Sequence, residues 1–203
     1  MKYLSIDLET TGLDANNHQI LEFGAVFEDT NNIQPMEALP TYHAYIVHPN
    51  NQITGDIYAL DLNKDIINKL KNKKELEEKY NFVNIEDLAD DFLFWLHMRG
   101  FEIKTKNEDE INEYKYSETL TVAGKNFNSF DKKFLDNVPD FSKKIRIRHR
   151  VIDPSVLFVD WKNDTALPSL DECKQKAGIE GVVTHLAVDD AKDVIELLRK
   201  DYV

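Results

Sequence analysis

The sequence predicts an α/β sandwich, with helices packed against a mixed sheet. Three observations predict it. β-prone segments come first, at residues 2–8, 20–28 and 41–47, and short turns join them as in an antiparallel meander. Beyond them strand-like and helix-like segments alternate, the order that lays helices over a sheet. The chain has 203 residues, 42% of them hydrophobic, enough for one domain with a proper core and too few for two ordinary ones.

Each element has its own local reason. Residues 2–8 alternate and break at Thr10-Thr11-Gly12, a strand ending in a turn. Residues 20–28 carry Ile20, Phe23, Val26 and Phe27, and the strand at 41–47 is stopped by Pro49. Residues 53–72 have helical apolar spacing at Ile57, Leu60, Ile66, Ile67 and Leu70. Asn84 is placed to cap a helix over 85–98, buried through Leu88, Ala89, Phe92, Leu93, Trp95 and Leu96 and stopped by Gly100. Residues 101–118, rich in charge and Asn, read as an excursion from the fold, of the mobile-hairpin kind, rather than a linker. Residues 120–123 form a short buried-type strand, followed by a turn and a helix near 129–137, and 151–152 fit a further strand. Ser169-x-x-Glu172 is a capping box opening a helix to Ala177, closed by Gly178. The last helix covers 188–200, apolar at Val188, Ala191, Val194, Ile195 and Leu198.

Charge and composition narrow the function. The net charge is −12, which argues against a large basic surface for gripping duplex nucleic acid. A carboxylate-rich site for divalent cations accords with the same number, and so does plain solubility. Two basic runs stand out: residues 142–150, with five cations and no acid, and the weaker 69–74. A chain that holds a polyanion would use these first. The single cysteine, Cys173, makes neither an internal disulfide nor a zinc cluster. No apolar run reaches the roughly 18 residues of a membrane span, and Asp7 interrupts any leader-like start, so no membrane partner and a cytoplasmic location are expected.

Three clusters carry chemistry. Asp7 and Glu9 share one face of the first strand, with Cα atoms about 6.5–7 Å apart, close enough for both to reach a pair of hard cations. An acidic chain contains such a triplet by chance, but this one sits between Leu4, Ile6 and Leu8 on the other face and a hydroxyl-rich turn. In the second cluster a buried strand enters a polar turn (Lys125, Asn126, Asn128), and Asp131 follows in the first turn of a helix, where an acid is favoured whatever its job. In the third, Asp190 lies where the final helix meets the core and needs a partner, while His185 sits just ahead with a side chain suited to proton transfer near neutral pH.

Together, Ser5-Ile-Asp-Leu-Glu-Thr-Thr-Gly-Leu-Asp14, Gly124-Lys-Asn-Phe-Asn-Ser-Phe-Asp-Lys-Lys-Phe-Leu135 and His185-Leu-Ala-Val-Asp-Asp190 resemble, in order, the three motifs of the DEDD exonuclease superfamily. A histidine five residues before the last aspartate marks the DEDDh branch, which includes proofreading exonucleases, oligoribonuclease and ribonuclease T. The resemblance covers nearly the whole chain. It implies a ribonuclease-H-like three-layer sandwich with a mixed five-stranded sheet, as a single exonuclease domain over 1–203. It also implies that Asp7, Glu9, Asp131 and Asp190 hold two divalent cations, Mg²⁺ or Mn²⁺, with His185 as general base. Thr10, Gly12 and Leu13 match positions that grip the terminal nucleotide. The second motif departs from the pattern, since Lys125-Asn126 lies one step further from the aspartate than in many relatives; Asn126 and Asn128 are alternatives for one substrate contact, beside Lys125.

The expected activity is 3′→5′ hydrolysis of single-stranded DNA or RNA ends or short oligonucleotides. A non-catalytic nucleic-acid binder or scaffold on the same fold, and a metal-dependent phosphohydrolase of free nucleotides, are the competing readings. DNA against RNA, and action alone, as a homodimer or beside a polymerase, stay open.

Overall fold

The computed structural model of the chain describes residues 1–105, 115–181 and 183–203. β1 (Lys2–Thr10), β2 (Ile20–Asp29) and β3 (Thr41–Val47) form the antiparallel meander that the sequence predicts. Three short helices follow, α1 (Ile57–Leu62), α2 (Lys64–Lys71) and α3 (Lys73–Leu76), and then β4 (Phe82–Asn84), parallel to β3. After α4 (Leu88–Met98), β5 (Ile103–Thr105) and β6 (Lys115–Ser117) make a separate antiparallel pair, and β7 (Val122–Ala123) runs parallel to β1. The rest is helical: α5 (Asp131–Asp136), α6 (Phe141–Lys144), α7 (Ser155–Phe158), α8 (Leu170–Ala177) and α9 (Ala187–Tyr202). The order β4-β3-β2-β1-β7 is a mixed five-stranded sheet.

Alternation along β1 sorts the layers. Leu4, Ile6 and Leu8 face a core shared with Leu88, Phe92 and Leu96 of α4 and Phe134 of α5, knit by aromatic edges such as Phe23 on Phe92 at 4.9 Å between centroids. Tyr3 faces the opposite way, into a core built with Ala191, Val194, Ile195 and Leu198 of α9. On that second side α2 docks Ile66 and Leu70 against Leu21 and Tyr45. The three layers are therefore α4–α5, sheet, and α9–α2. No described helix is long and apolar enough to cross a membrane.

Several elements differ from expectation. The helix expected over 53–72 is broken at Asn63, where the backbone leaves helical angles (φ −93°, ψ 19°) while the buried side-chain amide donates to the Thr10 carbonyl at 3.1 Å. Ile57, counted among its apolar contacts, is 87% exposed. The helix expected from 85 starts at Leu88, because residues 82–84 are recruited as β4 and the Asn84 side chain donates to Asp87 at 3.0 Å. The strand expected at 151–152 is a single bridge from Ile152 to Ala123. Within the charged excursion the flanks, β5 and β6, pair antiparallel, and residues 106–114, on which the rest of that expectation falls, lie outside the described residues. The capping box at Ser169 and Glu172 and the left-handed Gly178 stop are as predicted.

Candidate active site

Alternation that sends Leu4, Ile6 and Leu8 to one side sends Asp7 and Glu9 to the α9 side. What brings α9 down onto them is Gly24, directly across from Asp7. A Cβ at Gly24 would lie 2.5 Å from the Ala187 carbonyl carbon, so only glycine admits the first turn of α9 to the sheet surface. Glu22, across from Glu9, fixes that turn: one oxygen accepts the Ala187 N–H at 2.9 Å and the other meets His43 Nε2 at 2.6 Å. Asp190 then lies one turn into α9, 5% exposed, with a buried oxygen that has no hydrogen-bond partner.

Asp131 arrives from the other edge. Gly124 passes so close to β1 that a Cβ would sit 2.8 Å from the Ile6 carbonyl, and the turn that follows delivers Asp131 as the first residue of α5. Its carboxylate is buried and accepts the Leu8 N–H at 3.1 Å. His185 is exposed, in a left-handed conformation (φ 53°) just ahead of α9. Its ring and the carboxylates of Glu9 and Asp190 offer ligand atoms all within 4.8 Å of one another. Asp189 is half-buried and accepts from the Thr184 hydroxyl at 3.3 Å, so the buried Asp190, not Asp189, is the acid that enters the cluster.

The electrostatics describe a cage of like charges. Desolvation raises the Asp7 carboxyl well above its usual range, and Asp131, Asp190, Glu9 and Glu22 push it further. Burial, then Asp190 and Glu22, lifts Glu9 to about 8 against the pull of Asn63. Burial lifts Asp131 to about 8 and Asp190 to about 7. No Lys or Arg ion pair reaches these four acids among the described residues. Oxygen donors so crowded, with one carboxylate oxygen orphaned, fit hard divalent cations.

The cluster opens into a cleft of about 570 Å³. Thr10, Gly12 and Leu13 line it. The Thr10 hydroxyl donates to the Gly12 carbonyl at 2.8 Å, Gly12 is packed against His18 and Asp56, and Leu13 stands 82% exposed. Lys125, Asn126 and Asn128 are not in the lining. Their turn lies alongside, with the Asn126 N–H on Asp153 at 3.0 Å and the Asn128 amide on the His149 carbonyl at 3.4 Å. The opposite wall comes from α1, through Asp56, Tyr58, Leu62 and Asn63. Apolar spacing marks this segment as a helix but singles out none of its wall residues. Glu22 escapes the motif reading as well, although its signal is there: a carboxylate inside an apolar strand run, Ile20-Leu21-Glu22-Phe23.

The fold defines a class of architecture, an α/β sandwich on a ribonuclease-H-like mixed sheet. Residues 4–93 match the exonuclease family of the ribonuclease T type. Among solved structures, E. coli Exonuclease I in complex with a dT13 oligonucleotide is 18% identical with a TM-score of 0.60, covering 99% of this chain and 41% of that one. Exonuclease I from Methylocaldum szegediense is 14% identical (TM-score 0.60, 98% of this chain, 40% of that one). The nuclease domain of 3′hExo, a DEDDh family member bound to rAMP, is 15% identical (TM-score 0.54, 98% of this chain, 90% of that one). The chain thus spans about two fifths of the Exonuclease I chains, and at these identities the likeness is one of fold. No curated protein sequence matches.

Proposed function

We propose that the chain, acting as one unit over residues 1–203, releases nucleoside monophosphates stepwise from the 3′ ends of single-stranded nucleic acid or short oligonucleotides. One observation carries this reading: four carboxylates from β1, α5 and α9 converge with no Lys or Arg paired to them among the described residues, and His185 stands at the open side of the same cleft. Asp7, Glu9, Asp131 and Asp190 would hold two divalent cations, Mg²⁺ or Mn²⁺. Bound there, the ions supply concentrated positive charge to the scissile phosphodiester and to the oxygen that leaves.

The protein's own groups do the rest. His185 takes the proton of the attacking water at a ring nitrogen. Thr10 and Gly12 border the terminal nucleotide, and the exposed Leu13 wedges against its base, with Tyr58 facing it from α1. Lys125, Asn126 and Asn128 fall to the strand beyond that nucleotide, since their turn lies outside the cleft lining. Support for a single-stranded substrate comes from the fold neighbour that holds a dT13 oligonucleotide.

Asp7→Ala should lower nucleotide release by about 10³-fold or more while the protein stays folded. The assay incubates Mn²⁺-loaded protein with 3′- and 5′-labelled oligonucleotides. Stepwise mononucleotides from the 3′ end are expected. Hydrolysis of free nucleotides with intact oligomer would favour a phosphohydrolase, retention without turnover a binder, and full activity in the variant or in excess EDTA would overturn the proposal.

A further inference from the structure

We infer that the sheet edge beside β7 carries a second nucleic-acid contact: Arg146, Arg148 and Arg150 bind phosphates of the single strand upstream of the terminal nucleotide. The inference rests on the exonuclease reading for its choice of ligand and extends it to the path of the rest of the substrate.

The basic run 142–150 divides into two sets. Lys143 bonds to Asp140, and Lys144 bonds to Asp90 at 2.5 Å, so both serve their neighbours. The three arginines do not. Arg148 and Arg150 are exposed and have no carboxylate partner among the described residues. Arg146 lies over the Tyr116 ring at 4.0 Å, a contact that holds the guanidinium, and it has no carboxylate partner among the described residues.

The backbone behind them is not a loose loop. Leu120 donates to the Arg146 carbonyl at 2.7 Å and accepts from the Arg148 N–H at 2.9 Å, and Ile152 bridges Ala123. Ile145 is buried, and Ile147 and Val151 pack on the main core, which leaves the arginines outside. Along such an extended stretch Arg146 and Arg148 stand about 6.5 Å apart, a spacing that successive phosphates of an extended strand can match.

A groove of about 390 Å³ lies between this segment and α5. Its floor is apolar, through Leu135, Phe141, Ile145 and Ile147, and its rim carries Arg146 and His149. Asp136, the acid in the groove, is already bonded to Lys132 at 2.6 Å and to Ser142. Apolar floor beside guanidinium rim suits a base and its phosphate, the pairing that single-strand channels use. The segment also points the right way. It bridges β7 in parallel, so from Arg146 to Arg150 it advances toward the end of the sheet that carries Asp7 and Glu9, and the His149 carbonyl holds Asn128 on the turn leading to Asp131.

The test measures binding, not turnover. In excess EDTA, fluorescence anisotropy compares a thymidine dodecamer with a thymidine dinucleotide, for wild type and for R148Q/R150Q, over a salt series. Both positions are exposed, and unchanged melting verifies the fold. The double variant should bind the dodecamer several-fold more weakly, with a salt slope shallower by about 1.4, or 0.7 for each phosphate that an arginine no longer neutralises. Dinucleotide affinity should not move. An unchanged slope, or a wild type that binds the dodecamer no better than the dinucleotide, overturns the inference. If the slope changes as expected but Mn²⁺-loaded wild type releases no nucleotide, the exonuclease reading fails and the phosphate contact stands.

Discussion

The Glu22 carboxylate holds the Ala187 amide with one oxygen and the His43 ring with the other. It brings a further negative charge to a site already rich in them, since it raises both Asp7 and Glu9. The gain is the placement of α9: an amide at the helix start, which has no partner within the helix, finds one in the sheet. Replacing Glu22 with Ala should cost about 1–3 kcal/mol in a denaturant titration, because the buried amide is left unsatisfied, and Glu22→Gln should cost less because it keeps an acceptor. Equal losses in the two variants would mean that the hydrogen bond contributes little. At this scale the four clustered acids are legible in the sequence, because each stands at a break in an apolar pattern. Glu22 stands at such a break too. Its role is hidden because its partner, a backbone amide 165 positions away, has no signature in sequence.

Elements position the acids only because two of them come unusually close. Gly24 lets α9 rest on β2, and Gly124 lets the chain pass against β1. Gly24→Ala should therefore destabilise by about 1–3 kcal/mol by overpacking. It should also weaken Mn²⁺ binding, measured by calorimetry, more than an equally destabilising change far from the site, such as Leu198→Ala. Parallel losses in the two variants would show that Gly24 serves stability alone. Elements with local signals are readable from sequence: the meander by alternation, α8 by its capping box, and α9 by its apolar stripe. The rest depend on distant partners. β4 is a three-residue strand that exists by pairing with β3, and the break at Asn63 falls where its side chain reaches the distant Thr10 carbonyl.

For the molecule as a whole, the crowded carboxylates are a destabilising feature that bound cations would relieve. Glu9, Asp131 and Asp190 are raised to about 8, 8 and 7, and Asp7 is raised with them. The unfolded chain titrates these groups near 4. Between pH about 4 and about 8 the folded state thus binds more protons than the unfolded one, and the site's contribution to stability falls as pH rises through that window. Metal-free protein should melt lower at pH about 8 than at about 5, and saturating Mn²⁺ should remove most of the difference. A metal-free melting temperature that rises over the same interval would count against the cage. The surplus of acid over the chain, −12 in all, makes the cationic edge near Arg148 conspicuous by contrast.

Asp131 has a second duty that follows from how the sheet ends. β7 pairs with β1 only as far as Ser5, and beyond that point the Leu8 amide has no neighbouring strand to bond, so the Asp131 carboxylate stands in for the missing one. A group that is at once stitch and proposed ligand cannot be removed cleanly. Alanine there frays the sheet margin and empties the pocket together, whereas asparagine keeps an oxygen for the seam and gives up only the charge.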